Sequence, residues 1–130
     1  MSVVPFLNFN GNCYKAMLFY QTCFGGELNV KFMEKFGVAG SDLSESAMPV
    51  VSASLKSPFL TLYGSDMLSE LGVIEGTRVS LFVKFEVYEK MKEIVMKLSV
   101  PEKCEWNDLA SGELITVNDQ FGVQWMVICQ

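Results

Sequence analysis

The sequence predicts an α+β fold in which the order β-α-β-β-β occurs twice, over residues 3–65 and 78–129. Three observations carry that expectation. In two segments apolar residues recur at steps of three and four, the period of a helix buried along one face. Short apolar or alternating runs bounded by Gly, Pro, Asn and Ser occupy most of the remainder, as strands and turns do. Between the two sets, residues 66–77 form a connector with Gly72 and Gly76, after which the strand and helix patterns begin again.

Each element follows from its residues. Val3 to Phe9 is largely apolar and runs into Asn10-Gly11-Asn12, which suits a buried strand ending in a turn. Asn12 is placed to cap the first helix, whose apolar face is Cys13, Ala16, Met17, Tyr20, Cys23 and Phe24. Gly25 or Gly26 ends it by accepting positive φ. Glu27 to Phe36 reads as a strand with mixed faces, and the Gly- and Ser-rich stretch 37–47 as a mobile loop. Val50 to Lys56 and Phe59 to Ser65 flank Ser57-Pro58 and read as a hairpin. In the second half, Val79 to Glu86 is strand-like. Val87, Met91, Ile94, Val95 and Leu98 line a second helix, which Pro101 stops. Lys103–Trp106, Glu113–Asn118 and Gln124–Cys129 supply the last three strands.

Composition bounds the class. With 130 residues the expectation is a single domain, 1–130, able to bury roughly two-thirds of its unfolded surface. Half the residues are apolar and mean hydropathy is +0.27, values that exclude disorder. No apolar run approaches the ~18 residues of a membrane span, so no membrane partner is expected. Ten basic against fifteen acidic residues give a net charge of −5, which disfavours nucleic acid. Met1-Ser2-Val3-Val4-Pro5 lacks the basic and apolar regions of a signal peptide, which predicts cytoplasmic residence. Cys13, Cys23, Cys104 and Cys129 are widely spaced without a C-x-x-C and read as reduced structural thiols. There is no histidine, the usual base for a catalytic cysteine.

Periodicity supports two α+β modules without saying how they join; a ferredoxin-like sandwich or an open antiparallel sheet remains compatible with it. Two stretches say more. Phe6-Leu7-Asn8-Phe9-Asn10-Gly11-Asn12, with Phe19-Tyr20 and Phe24-Gly25-Gly26 after it, stands at one end, and Asp119-Gln120-Phe121-Gly122-Val123-Gln124-Trp125-Met126 at the other. These segments resemble the PhnB-like branch of the glyoxalase/bleomycin-resistance/dioxygenase (vicinal oxygen chelate) superfamily. The resemblance implies that the two modules curl into a glyoxalase-like cup of mixed sheet with the helices outside. Members of the branch are often labelled as resembling 3-demethylubiquinone-9 3-methyltransferase. The chain has no G-x-G-x-x-G turn of the kind the common methyltransferase fold leads one to seek.

The resemblance also implies a divalent metal held by His and Glu, from the first strand of each half, an inner strand of the first half and the last strand of the second. This sequence departs from the pattern at each place. Residues 1–26 hold no His, Asp or Glu; Ser52 stands where a histidine is frequent; the third position falls near Thr77-Arg78-Val79-Ser80; the fourth falls on Met126 or its neighbours Gln124 and Trp125. Neutral amides and hydroxyls bind divalent ions only as accessories to anions. A second departure is the Trp and Phe-Gly common before the final hairpin: Trp106 matches only with a gap, and Leu114-Ile115 replaces the Phe-Gly.

The expectation is therefore a protein without metal or other cofactor that binds or sequesters a small molecule. Ser52, Ser54, Thr61, Tyr63, Trp106 and Trp125 are the candidates for lining the cup, because polar residues on apolar paired strands face either solvent or a cavity. The alternative is a lyase, isomerase or dioxygenase-type enzyme with a relocated metal or a metal-free site. In it acid–base work falls to groups such as Glu34, Tyr63, Lys84 and Glu113, and no catalytic residue is assigned. Phe19 and Tyr20 read more simply as core, Gly122 as a turn before the last strand, and Asp119 as a turn residue bonding nearby backbone N–H groups. A homodimer is expected, because relatives build or close their cups by pairing and eight Met and ten Phe are generous for this length.

Overall fold

The computed structural model describes residues 2–33, 49–66, 76, 78–99, 104–105 and 114–129, with 104–105 described through the backbone alone. The chain divides into two compact units, Met1–Ile74 and Glu75–Gln130, each holding one β-α-β-β-β module.

In the first unit the elements are β1 (Phe6–Phe9), α1 (Cys13–Phe24), β2 (Glu27–Phe32), β3 (Val50–Lys56) and β4 (Thr61–Asp66). The four strands form a mixed sheet ordered β1-β4-β3-β2, with β1 parallel to β4 and the other neighbours antiparallel. Every residue expected on the buried face of α1 is buried there. That face packs on the sheet, where Phe9, Ala53, Leu55 and Leu62 are also buried. Strand alternation then sends the intervening residues to the opposite face. A bulge keeps the pattern in phase: Lys31 pairs with Ser52 but Phe32 with Val50, so Val51 is the extra residue and Val50 returns to the core side.

The helix ends as its glycines require, with Gly25 at φ 73° and Gly26 at φ 100°. Gly26 is confined twice over, since a Cβ there would run into the carbonyl of Lys56 and lie 2.7 Å from Ser57 Cα. Its start differs from the expectation. Asn12 occupies the N-cap position, but its side chain makes no capping bond. The first helical N–H, that of Cys13, donates instead to Asp66 Oδ1 at 2.9 Å, and Val50 N–H donates to Asp66 Oδ2 at 2.8 Å. One buried carboxylate thus ties α1 to β3 and β4. The hairpin strand expected over 59–65 runs 61–66, because Ser57–Leu60 form the turn: Ser57 N–H donates to Leu60 O, and Phe59 N–H to Ser57 Oγ.

The second unit repeats the plan with β5 (Leu81–Phe85), α2 (Tyr88–Leu98), β6 (Cys104–Glu105), β7 (Ile115–Asn118) and β8 (Gln124–Cys129), ordered β5-β8-β7-β6. Again the first and last strands are parallel and the others antiparallel. Met91, Ile94, Val95 and Leu98 are the buried face of α2. Val87, expected on that face, is instead the extended N-cap residue and is exposed. The stretch 37–47, Thr77, Pro101, Glu34, Glu113 and Trp106 lie outside the described residues.

Candidate functional site

The open face of the first sheet, opposite α1, carries the polar residues of each strand except Asp66, which is buried on the helix side. Register places them in rows. Asn29 on β2 pairs with Ser54 on β3, Ser54 with Tyr63 on β4, and Tyr63 with Phe6 on β1. Lys31 pairs with Ser52 on one side of this row, and Glu27 with Lys56 and Lys56 with Thr61 on the other. Adjacent strands are about 4.8 Å apart, so a row across four strands spans roughly 14 Å.

A shallow concavity of about 250 Å³ lies on this face, lined by Asn29, Val30, Lys31, Ser52, Ala53, Ser54 and Tyr63. Three of the residues singled out from the sequence, Ser52, Ser54 and Tyr63, are thus in its wall. Thr61 is on the same face of β4, two residues from Tyr63 and outside the lining. Val30 and Ala53, which belong to the helix side by alternation, are also in the lining. Asn29 and Lys31 were not singled out; their signal was the alternation of Glu27, Asn29 and Lys31 with Leu28, Val30 and Phe32, together with the register to β3.

Trp125 is in a different place. It is 0% exposed in the second unit, on the buried face of β8 with Val127 and beside Val117 on β7. Its indole Nε1–H donates to Asp119 Oδ2 at 2.8 Å, while Asp119 Oδ1 accepts from Phe121 N–H at 2.8 Å and Val123 N–H at 3.1 Å. Asp119 is the turn residue expected, and its second oxygen fixes the core tryptophan as well. Gly122, at φ 83°, completes the turn by donating to Asp119 O.

The residues at the relatives' metal positions do not fit a His- and Glu-held divalent ion. β1 offers the amide of Asn8 and β3 the hydroxyl of Ser52. In the second unit Ser80 Oγ donates to Gln124 Oε1 at 2.6 Å, Trp125 is committed to the core, and Met126 brings only a thioether. Such donors lack the negative charge that hard divalent ions require. Among the described residues no three of His, Cys, Asp and Glu are grouped as a metal site. The buried carboxylates Asp66 and Asp119 hold backbone and indole N–H groups. Cys13 offers no ready thiolate: burial first, and then the charge of Asp66, pushes its pKa up to about 12. Of the acid–base candidates, Lys84 is exposed on β5.

Two mixed-sheet β-α-β-β-β modules in one chain define an α+β protein with the fold of the glyoxalase/bleomycin-resistance/dioxygenase superfamily, and the resemblance to its PhnB-like branch extends over the whole length. Protein YjdN of Escherichia coli (strain K12) is 27% identical over 139 residues, covering 98% of this chain and 94% of YjdN. A Bacillus cereus structure described as a putative 3-demethylubiquinone-9 3-methyltransferase, PhnB protein, superposes with a TM-score of 0.74 at 20% identity, over all of both chains. FosX, the genomically encoded fosfomycin resistance protein of Listeria monocytogenes, solved with Mn(II) and 1S,2S-dihydroxypropylphosphonic acid, gives a TM-score of 0.65 at 12% identity, over 98% of this chain and 90% of FosX. No family model matches the chain. No helix among the described residues is long and apolar enough to cross a membrane.

Proposed function

We propose that this protein binds or sequesters a small molecule without a metal ion, using the open face of its first sheet. The observation that carries the reading is the lining of the concavity: the hydroxyls of Ser52, Ser54 and Tyr63 are spent on no side-chain hydrogen bond to described residues and are available to a ligand. A few convergent polar groups in a concave surface are what a binding site supplies. The residues at the relatives' metal positions support the metal-free part. Native mass spectrometry of the chelator-treated full chain against panels of metabolites and antibiotics tests it. At least one compound is expected to bind; a panel that leaves the protein free throughout argues against the reading.

A second reading has its own observation. The likeness to FosX, whose structure holds Mn(II), favours a lyase, isomerase or dioxygenase-type enzyme with a relocated metal. That reading requires a stoichiometric divalent ion in protein purified without chelator, measured by plasma mass spectrometry. Methyl transfer, suggested by the label of the Bacillus cereus relative, requires measurable S-adenosylmethionine binding by calorimetry. We propose further that the chain works in the cytoplasm as a homodimer, which sedimentation at dilute concentration tests.

A further inference from the structure

We infer that the ligand of the first-sheet concavity carries an anionic oxygen group, carboxylate or phosphate-like, joined to a flat apolar body. The inference rests on the binding reading above and adds the chemical class to it. The charge of the whole chain, −5, by itself favours a cation, but the charge that the described lining of the concavity carries is positive. Among the described residues, Lys31 is the one charged member of its lining. The other lysine on this face, Lys56, stands opposite Glu27 in the register, whereas Lys31 stands opposite Ser52. No ion pair of Lys31 is found among the described residues. An ammonium and a hydroxyl on paired strands, about 5 Å apart at the backbone, can donate to the same oxyanion.

The remainder of the ligand follows from the neighbouring row. From Lys31 the face passes through Ser54 to Tyr63 and then Phe6, which are cross-strand partners 38% and 55% exposed. Two exposed rings side by side on a sheet surface make an apolar shelf about 10 Å, two strand spacings, from β2. A molecule with an oxyanion at one end and a ring at the other matches both.

The test uses the full chain, treated with chelator, and three probes that share a phenyl ring: phenylphosphonate, benzoate and uncharged benzamide, the last two near-isosteric, titrated by calorimetry. At least one anion is expected to bind about tenfold or more tighter than benzamide, since charge-assisted hydrogen bonds are the stronger kind. The preference between phenylphosphonate and benzoate then separates a phosphate-like from a carboxylate ligand. Lys31→Met removes the advantage of the anions and Lys31→Arg keeps it, with both variants melting like the parent because the side chain is exposed. If benzamide binds as tightly as the anions, or Lys31→Met leaves their affinity unchanged, the inference falls while the binding reading stands. If none of the three binds, the inference also falls, and the metabolite panel separately decides the binding reading.

Discussion

Asp119 gathers three donors on two oxygens within a seven-residue stretch, and one of them is the indole of the buried Trp125. Asp119→Ala would leave that indole and two turn N–H groups short of an acceptor inside the second unit. A loss of about 2–4 kcal/mol is expected, measured by urea unfolding. Trp125→Phe removes one of the three donors and should reduce the effect of Asp119→Ala in a double-mutant cycle. Cys13 makes a second expectation at this scale. Its pKa rises from 9.0 to about 12 on folding, so between these values the unfolded chain releases a proton that the folded chain keeps. The unfolded state is favoured as pH rises, and the stability tied to the neutral thiol, fully present below pH 9, is lost through that window. The stability difference between the parent and Cys13→Ala should therefore shrink as pH rises above 9. The roles of these two residues differed in legibility. Asp119 followed by Gly122 is a local turn signal, whereas the burial of Cys13 under Asp66 joins residues 53 apart.

At the scale of elements, the periodicities of α1, α2 and most strands were legible because burial on one face imposes them. Ends were less so. Asn12 has the chemistry of an N-cap, yet the bond comes from Asp66, which arrives from the end of β4 only when the sheet has formed. Asp66→Ala should then uncouple more than a helix terminus, since it strips Val50 N–H as well. We expect a stability loss of about 2–4 kcal/mol, with hydrogen exchange at the amides of Cys13 and Val50 rising together. Exchange rising at Cys13 alone would reduce Asp66 to a helix cap. The lining of the concavity was legible to the same degree and for the same reason. Alternation puts Ser52, Ser54 and Tyr63 on one face, but only the pairing of β2 with β3 brings Asn29 and Lys31 beside them.

For the whole molecule, the missing histidine goes together with groups that carry no negative charge at the positions where the resemblance implies metal ligands. Asn8, Ser52, the stretch 77–80, and Met126 with its neighbours Gln124 and Trp125 fall where the resemblance implies metal donors, and the buried carboxylates Asp66 and Asp119 hold backbone and indole N–H groups. The β-α-β-β-β modules rest on apolar periodicity, which places no demand on the residues at those positions. The proposed function is the binding of a small molecule by the open face of the first sheet with no metal present. Amide chemical-shift mapping of the isotopically labelled full chain in EDTA, titrated with compounds found by the mass-spectrometric panel, tests it most directly. Saturable shifts centred on residues 29–31, 52–54 and 63 are expected. Shifts that appear only after a divalent metal is restored, or that leave those residues unmoved, would contradict it.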